Sequence, residues 1–237
     1  MTAADNAAYT GTAETITWLR HNRIDLALHE LRAATDPNQR PLLLLHGLGE
    51  ESARIGTLDV EWSGPIYGLD FTGHGRSTIP VGGGYTSEVL VGDVDAALAH
   101  LGPVTILGRG LGAYVALMAI AARPDLVLGT VLADGPGIAG GGVQPGTPTL
   151  VFPAPLFANT DDSPHVPDPF ALVELARDVR PPDYAQSLLL LASDVSPLNR
   201  LVYVSAVARP EWLDAIVSQP GVQLGTIEDA LGYFAGV

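Results

Sequence analysis

The sequence predicts an α/β protein, a three-layer α/β/α sandwich around a mainly parallel sheet with an antiparallel hairpin at the N-terminal end. Three observations predict it. Short apolar runs of strand length alternate with segments of helical spacing along most of the chain. The run Leu42–Leu45 is apolar without alternation, as a strand buried on both faces requires. Finally, the stretch Val104–Leu117 carries a β-branched run through the turn Gly108-Arg109-Gly110-Leu111-Gly112 into an apolar helix-spaced segment.

Each element follows from local chemistry. Residues 1–13 are small and polar and are expected to be flexible. Thr15–Leu19 and Ile24–Leu31 read as two antiparallel strands around His21-Asn22-Arg23, the second alternating as a strand with one wet face. After the Asp36–Gln39 turn comes the leucine strand, then a short helix over Glu51–Trp62 and a strand over Pro65–Asp70. Thr86 caps a helix running to Leu101, with Leu90, Val94, Ala97 and Leu98 on its apolar face. The glycine turn leads into a helix over Leu111–Ala122, and Leu126–Ala133 is a further buried strand ending at Asp134. Gly135–Pro148 holds six glycines and three prolines and reads as a flexible connection. Thr149–Phe152 is a strand, residues 153–169 a long irregular loop, and Phe170–Val179 and Asp183–Asp194 are helices. Leu201–Val207 reads as the last strand, with helices over Pro210–Gln219 and Ile227–Phe234 behind it. No repeat or linker divides residues 1–237, so a single domain is expected.

Composition narrows the function classes. The net charge of −14 disfavours nucleic acid and anionic membranes as partners. All twelve bases are arginine, so no Schiff-base lysine is available, and without cysteine there is no thiolate nucleophile, disulfide or Cys-ligated metal. No apolar run reaches the ~18 residues of a membrane span. The N-terminus shows no secretory signal, so a cytoplasmic location is expected. No spacing of histidines suggests a metal, and no cofactor is expected.

Three segments, in order, resemble the α/β-hydrolase superfamily. Leu42–Gly49, reading LLLLHGLG, is similar to the third strand and its His-Gly oxyanion loop. Asp70–Ser77, reading DFTGHGRS, is similar to the Gly-His-Gly-x-Ser turn after the fourth strand. The glycine turn is similar to the nucleophile elbow, Gly-x-Ser-x-Gly, which presents a serine at the top of the sheet. Here the flanking Gly108 and Gly112 are present and Gly110 stands where the serine would be. The resemblance implies an α/β-hydrolase fold, and the short connection Gly135–Pro148, where many members insert a helical cap, leaves little or no cap domain and so a shallow or open pocket. It also implies motif-structural roles for His46, Gly108, Gly112, Asp70, Gly73 and His74. The backbone amides of Leu48 and Leu111 would be the oxyanion donors, beside Gly47 and Gly110.

The triad's general base is missing as well. The family's general base follows the last strand, where Ala208-Arg209-Pro210 offers no histidine, and no histidine lies beyond His165. Asp134 sits at one of the family's positions for the acid, and it also reads as a strand-end cap. Asp161 and Asp162 lie late for the other. Ser77, Ser87 and Ser163 read as turn or capping serines, and His21, His29 and His100 show no partner pattern.

Two functions follow from this inventory. The first is a non-catalytic or weakly active member, a pseudoenzyme with an esterase-like frame. It would bind a small apolar or carboxyl- or ester-bearing ligand near Gly110, with oligomerisation left open. The second is an active hydrolase or lyase in which His165 or Asp134 activates a water.

Overall fold

A computed structural model describes residues 15–52, 60–141 and 166–237. The predicted strand Thr149–Phe152, most of the predicted helix Glu51–Trp62, and the predicted flexible start of the chain lie outside the described residues. The eight strands are β1 (Thr15–His21), β2 (Ile24–Arg32), β3 (Leu42–Leu45), β4 (Ile66–Leu69), β5 (Val104–Arg109), β6 (Val127–Ala133), β7 (Val202–Ser205) and β8 (Val222–Leu224). They form one sheet in the order β1-β2-β4-β3-β5-β6-β7-β8. The hairpin β1–β2 and the pair β2–β4 are antiparallel. Every other neighbouring pair is parallel, including β3 with β5, where Leu42 lies opposite Thr105.

The pleat of β3 shows how the sandwich is divided. Leu43 and Leu45 enter the cluster on one face of the sheet, while Leu42 and Leu44 enter the cluster on the other. The first cluster takes α1 (Ser87–Leu101), α2 (Leu111–Ala122), α3 (Pro169–Arg177), α4 (Pro182–Val195) and α5 (Glu211–Val217). The second takes α6 (Ile227–Ala235) together with Val60 and Trp62. Helix α2 is buried along Leu111–Ile120, which explains an apolar composition without a wet stripe.

Two expectations are corrected. Strand β2 has no wet face over Leu26–His29, all four of which are buried. It is an inner strand between β1 and β4, and the turn after β4 covers it, with Ser77 Oγ accepting from Ala27 N at 2.9 Å. The predicted last strand is followed by another, β8, a three-residue strand that pairs with β7.

Among the described residues little cap stands over the carboxyl end of the sheet. Helix α3 abuts the loop after β3, where Leu172 lies beside Gly49. Acidic residues within and beside α3 tie it to the start of α1. Asp168 accepts from Tyr85 OH at 2.5 Å, Glu174 from the amides of Gly84 and Tyr85 at 2.8 and 2.7 Å, and Asp178 from the amide of Ser87 at 2.9 Å. Among the described residues no helix is long and apolar enough to cross a membrane.

Candidate functional site

The glycine turn forms as a strand–turn–helix. Gly110 precedes α2 with φ 59° and ψ −118°, a conformation that side chains resist. The flanking glycines permit the close approach of strand and helix: a Cβ on Gly108 would fall 2.3 Å from Gly112 O, and one on Gly112 would fall 2.5 Å from Leu45 O.

The space above Gly110 is filled by the chain itself. The amides of Leu48 and Leu111 both donate to the carbonyl oxygen of Pro136, each at 2.9 Å. A Cβ on Gly110 would fall 2.1 Å from that same oxygen and 2.7 Å from the carbonyl carbon of Gly135. The predicted residues Gly47, Leu48, Gly110 and Leu111 are therefore brought together, and around a backbone carbonyl from the segment after β6.

That segment is anchored. Gly137 packs so closely on Leu48 that a Cβ would fall 2.6 Å from the Leu48 Cβ. Arg180 Nη1 donates to the carbonyls of Gly137 and Ile138, the latter at 2.7 Å, and Trp212 Nε1 donates to Ile138 O at 2.8 Å. The Gly141 amide donates to Asp178 O at 2.9 Å. Arg180 is buried with its guanidinium 4.8 Å from the centroid of the Tyr114 ring. Burial lowers its pKa to about 10, so it remains a cation at neutral pH. The expectation of a flexible connection is thus corrected over residues 135–141. The carbonyls of Pro136, Gly137 and Ile138 all find donors, and an anchored backbone is not a loose one.

A charged pair borders residues 135–141, the strap over the elbow. Arg109 Nε and Nη2 both reach Glu50 Oε1, at 3.1 and 3.0 Å, and Nε also reaches Oε2 at 3.0 Å. Glu50 Oε2 accepts in addition from Gly47 N at 2.9 Å. Burial opposes the Glu50 charge, but Arg109 and the Gly47 amide outweigh it and lower the pKa. The pair clamps the loop after β3 to the elbow. Sequence reasoning missed it, although Arg109 between two glycines and Glu50 just after Gly49 were an available signal.

Asp134 accepts from Val207 N at 2.6 Å and Ala208 N at 3.1 Å, so both of its oxygens are engaged in capping the loop after β7. His165, Asp161, Asp162 and Ser163 lie outside the described residues. With β8 as the last strand, the place where the resemblance expects a base moves from Ala208-Arg209-Pro210 to Gly225-Thr226. No histidine stands there either, and Thr226 caps α6 through a capping box with Asp229. Ser77 Oγ donates to Asp70 O at 2.6 Å, and Ser87 Oγ donates to Asp178.

Asp70 and His46 organise the turns around the site. Asp70 accepts from His29 Nε2, Ser52 N and Arg76 N, each at 2.8 Å. Burial raises its pKa, but these three donors outweigh that and hold it down to about 2. His46 Nε2 accepts from Phe71 N at 3.0 Å, which makes Nδ1 the donor to Gly47 O at 2.8 Å and the ring neutral. Gly73, with φ 78°, packs on the Tyr85 ring. His74 is fully buried, with Nδ1 3.2 Å from Thr72 O and Nε2 without a partner. Burial lowers the pKa of both histidines, that of His74 to about 3. His21 also finds a partner the sequence did not suggest, Asp93, at 2.9 Å.

These buried rings make stability depend on pH. His74 falls from 6.5 to about 3 on folding. Below pH ~6.5 the unfolded chain binds a proton that the folded chain refuses, so stability is lost as pH falls. Between pH 7 and pH 5 the cost is about 2 kcal/mol for His74, with His46 adding in the same direction. Asp70 adds a further loss only below its ordinary 3.8, and Asp93, raised by burial, acts the opposite way. Urea titrations at stepped pH should show the unfolding free energy falling over that window, and His74→Gln should flatten the slope. An unchanged slope in the variant would contradict this assignment.

No protein-family model matches the chain, and no curated protein matches it. Among solved structures it is similar to a putative lipase from Acinetobacter baumannii AYE, at 22% identity over 52% of this chain and 42% of that one, with a TM-score of 0.44. It is similar to a probable hydrolytic enzyme from Pseudomonas aeruginosa PAO1, at 22% identity over 51% of this chain and 41% of that one, with a TM-score of 0.45. A membrane phospholipase A, described as a bacterial virulence factor, matches at 18% identity over 90% of this chain and 78% of that one, with a TM-score of 0.48. The chain spans less than half the length of the first two.

Proposed function

From the α/β-hydrolase fold that this chain adopts, we propose that it is a non-catalytic member of that fold, a binding protein built on an esterase frame. One observation carries the proposal. The two amides that would hold the oxyanion of an ester hydrolysis both hold the carbonyl of Pro136, which also occupies the place of a nucleophile's Cβ above Gly110. Catalysis of this kind needs donors aimed at an oxygen of the substrate, and here the donors are engaged before a substrate arrives. The elbow carries glycine in place of a serine and the loops after β7 and β8 carry no histidine, while Asp134 engages both of its oxygens with backbone amides. A carboxyl- or ester-bearing ligand would reach Leu48 N and Leu111 N only in a state where the Pro136 carbonyl has left them.

The test is chemical. A fluorophosphonate probe should leave the protein unlabelled, and a panel of activated esters should turn over at the buffer rate. Stoichiometric phosphonylation of any serine would overturn the proposal.

A further inference from the structure

Arg180, in the connection between α3 and α4, is 4% exposed and is only partly satisfied. Its Nη1 donates to the carbonyls of Gly137 and Ile138, and the Tyr114 ring lies 4.8 Å from the guanidinium carbon. Its Nε and Nη2 are both buried, and neither has a hydrogen-bond partner. Among the described residues no carboxylate forms an ion pair with it. Asp178, whose charge acts on Arg180, is hydrogen-bonded to Ser87. The unpartnered pair is the side-on edge of the guanidinium, two parallel N–H groups that match the two oxygens of a carboxylate. Arg123 shows the match on this chain: Nε donates to Asp95 Oδ1 at 2.6 Å and Nη2 to Asp95 Oδ2 at 3.0 Å. Buried polar groups are satisfied as a rule and buried charges are paired, so an empty edge on a buried cation points to a missing anion.

We propose that the free edge of Arg180 binds a small monocarboxylate, held side-on by Nε and Nη2 as Arg123 holds Asp95. The packing sets the size. A Cβ on Gly140 would fall 2.7 Å from Arg180 Nε and 2.8 Å from its Cδ, so the surroundings admit a head group and a short tail. The charge is set by the single cation, since a second negative charge would be buried without a partner. Water would satisfy the two donors but leave the guanidinium charge unpaired. The net charge of −14 works against every anion, so retention rests on this local pair. The site is separate from the amides of Leu48 and Leu111 and needs no movement of the Pro136 carbonyl.

The experiment is an NMR titration of the full chain with sodium acetate at constant ionic strength, reading the Nε–H resonance of Arg180, with acetamide as the neutral control. A saturable shift is expected with acetate and none with acetamide. The rise in melting temperature that acetate gives the parent should vanish in Arg180→Lys, which keeps the charge and loses the fork. It should persist in Arg177→Gln, which removes an equal charge from the end of α3. Because Arg180 also anchors the strap, the lysine variant may fail to fold, and the resonance of the parent then decides alone. An Nε–H that does not move with acetate would overturn the proposal and leave water as the occupant. So would an equal shift with acetamide, or a loss in Arg177→Gln as large as in Arg180→Lys, which would mean attraction to positive charge in general. Acetate moving the amides of Leu48 and Leu111 instead of Nε would place the carboxylate in the crevice and would also overturn it. Labelling by a fluorophosphonate would refute the proposed function and leave this outcome unaffected.

Discussion

Replacing Gly110 with serine is expected to destabilise the protein and to create no esterase. The loss has two sources. A Cβ at φ 59° costs about 1 kcal/mol in the left-handed region. The same Cβ would fall 2.1 Å from Pro136 O and 2.7 Å from Gly135 C, both of them backbone atoms. Backbone cannot turn aside as a flexible side chain can, and overpacking of this kind costs about 1–3 kcal/mol more. Relief by displacing the strap would strip the amides of Leu48 and Leu111 of their acceptor and pull on the carbonyls held by Arg180 and Trp212. The melting temperature should fall by roughly 5–15 °C, at about 2–4 °C per kcal/mol for a chain of this size. Gly110→Ala should lose about as much, since the Cβ and not the hydroxyl meets the strap. Activity on activated esters should stay within about tenfold of the parent, because a hydroxyl without a positioned base is a poor nucleophile. A variant as stable as the parent, with an activity gain of ~10³-fold, would show that the strap yields and that a base stands within reach.

The second large effect is expected from Asp70→Ala. The carboxylate is buried and accepts from His29 Nε2, Ser52 N and Arg76 N. Removing it strands three donors, two of them buried, at a cost of about 3–5 kcal/mol. The damage should extend beyond the local turn, because Asp70 ties β2 to the end of β4 and to the Gly73–Ser77 loop. Asp70→Asn should fall between the variant and the parent, since an amide oxygen replaces only part of the carboxylate's accepting capacity. Denaturant unfolding measures both. A loss in Asp70→Ala no larger than in an exposed variant such as Asp36→Ala would show that the three hydrogen bonds contribute little.

Much of the architecture was legible because it is written in side chains. The leucine run of β3 announces a strand buried on both faces, and the glycines of residues 108–112 announce a turn that forbids Cβ atoms. What escaped was carried by backbone or by distance. The strand β8 is three residues long between Gly221 and Gly225, too short for a period to be read, and the position of the missing base was therefore placed one strand early. The filling of the crevice is done by a carbonyl, which every residue possesses, so the composition around Pro136 suggested looseness while the hydrogen bonds make it an anchor. The pairs His29–Asp70 and His21–Asp93 join residues 41 and 72 positions apart, and no local pattern connects them. The alternation in β2 did suggest a wet face, but the Ser77 turn folds over it, a tertiary event that outweighs the strand's own pattern.

The central claim is that the chain's own carbonyl occupies the amides of Leu48 and Leu111. Amide hydrogen exchange at these two residues, followed by NMR on the protein without added ligand, tests it most directly. Both amides are expected to exchange slowly, in the range of the neighbouring amides of β3 and β5, because both donate to Pro136 O and Leu111 is fully buried. Exchange of both at the rate of a solvated helix N-terminus would mean that the crevice stands open to water and that Pro136 does not close it, and the account would fail.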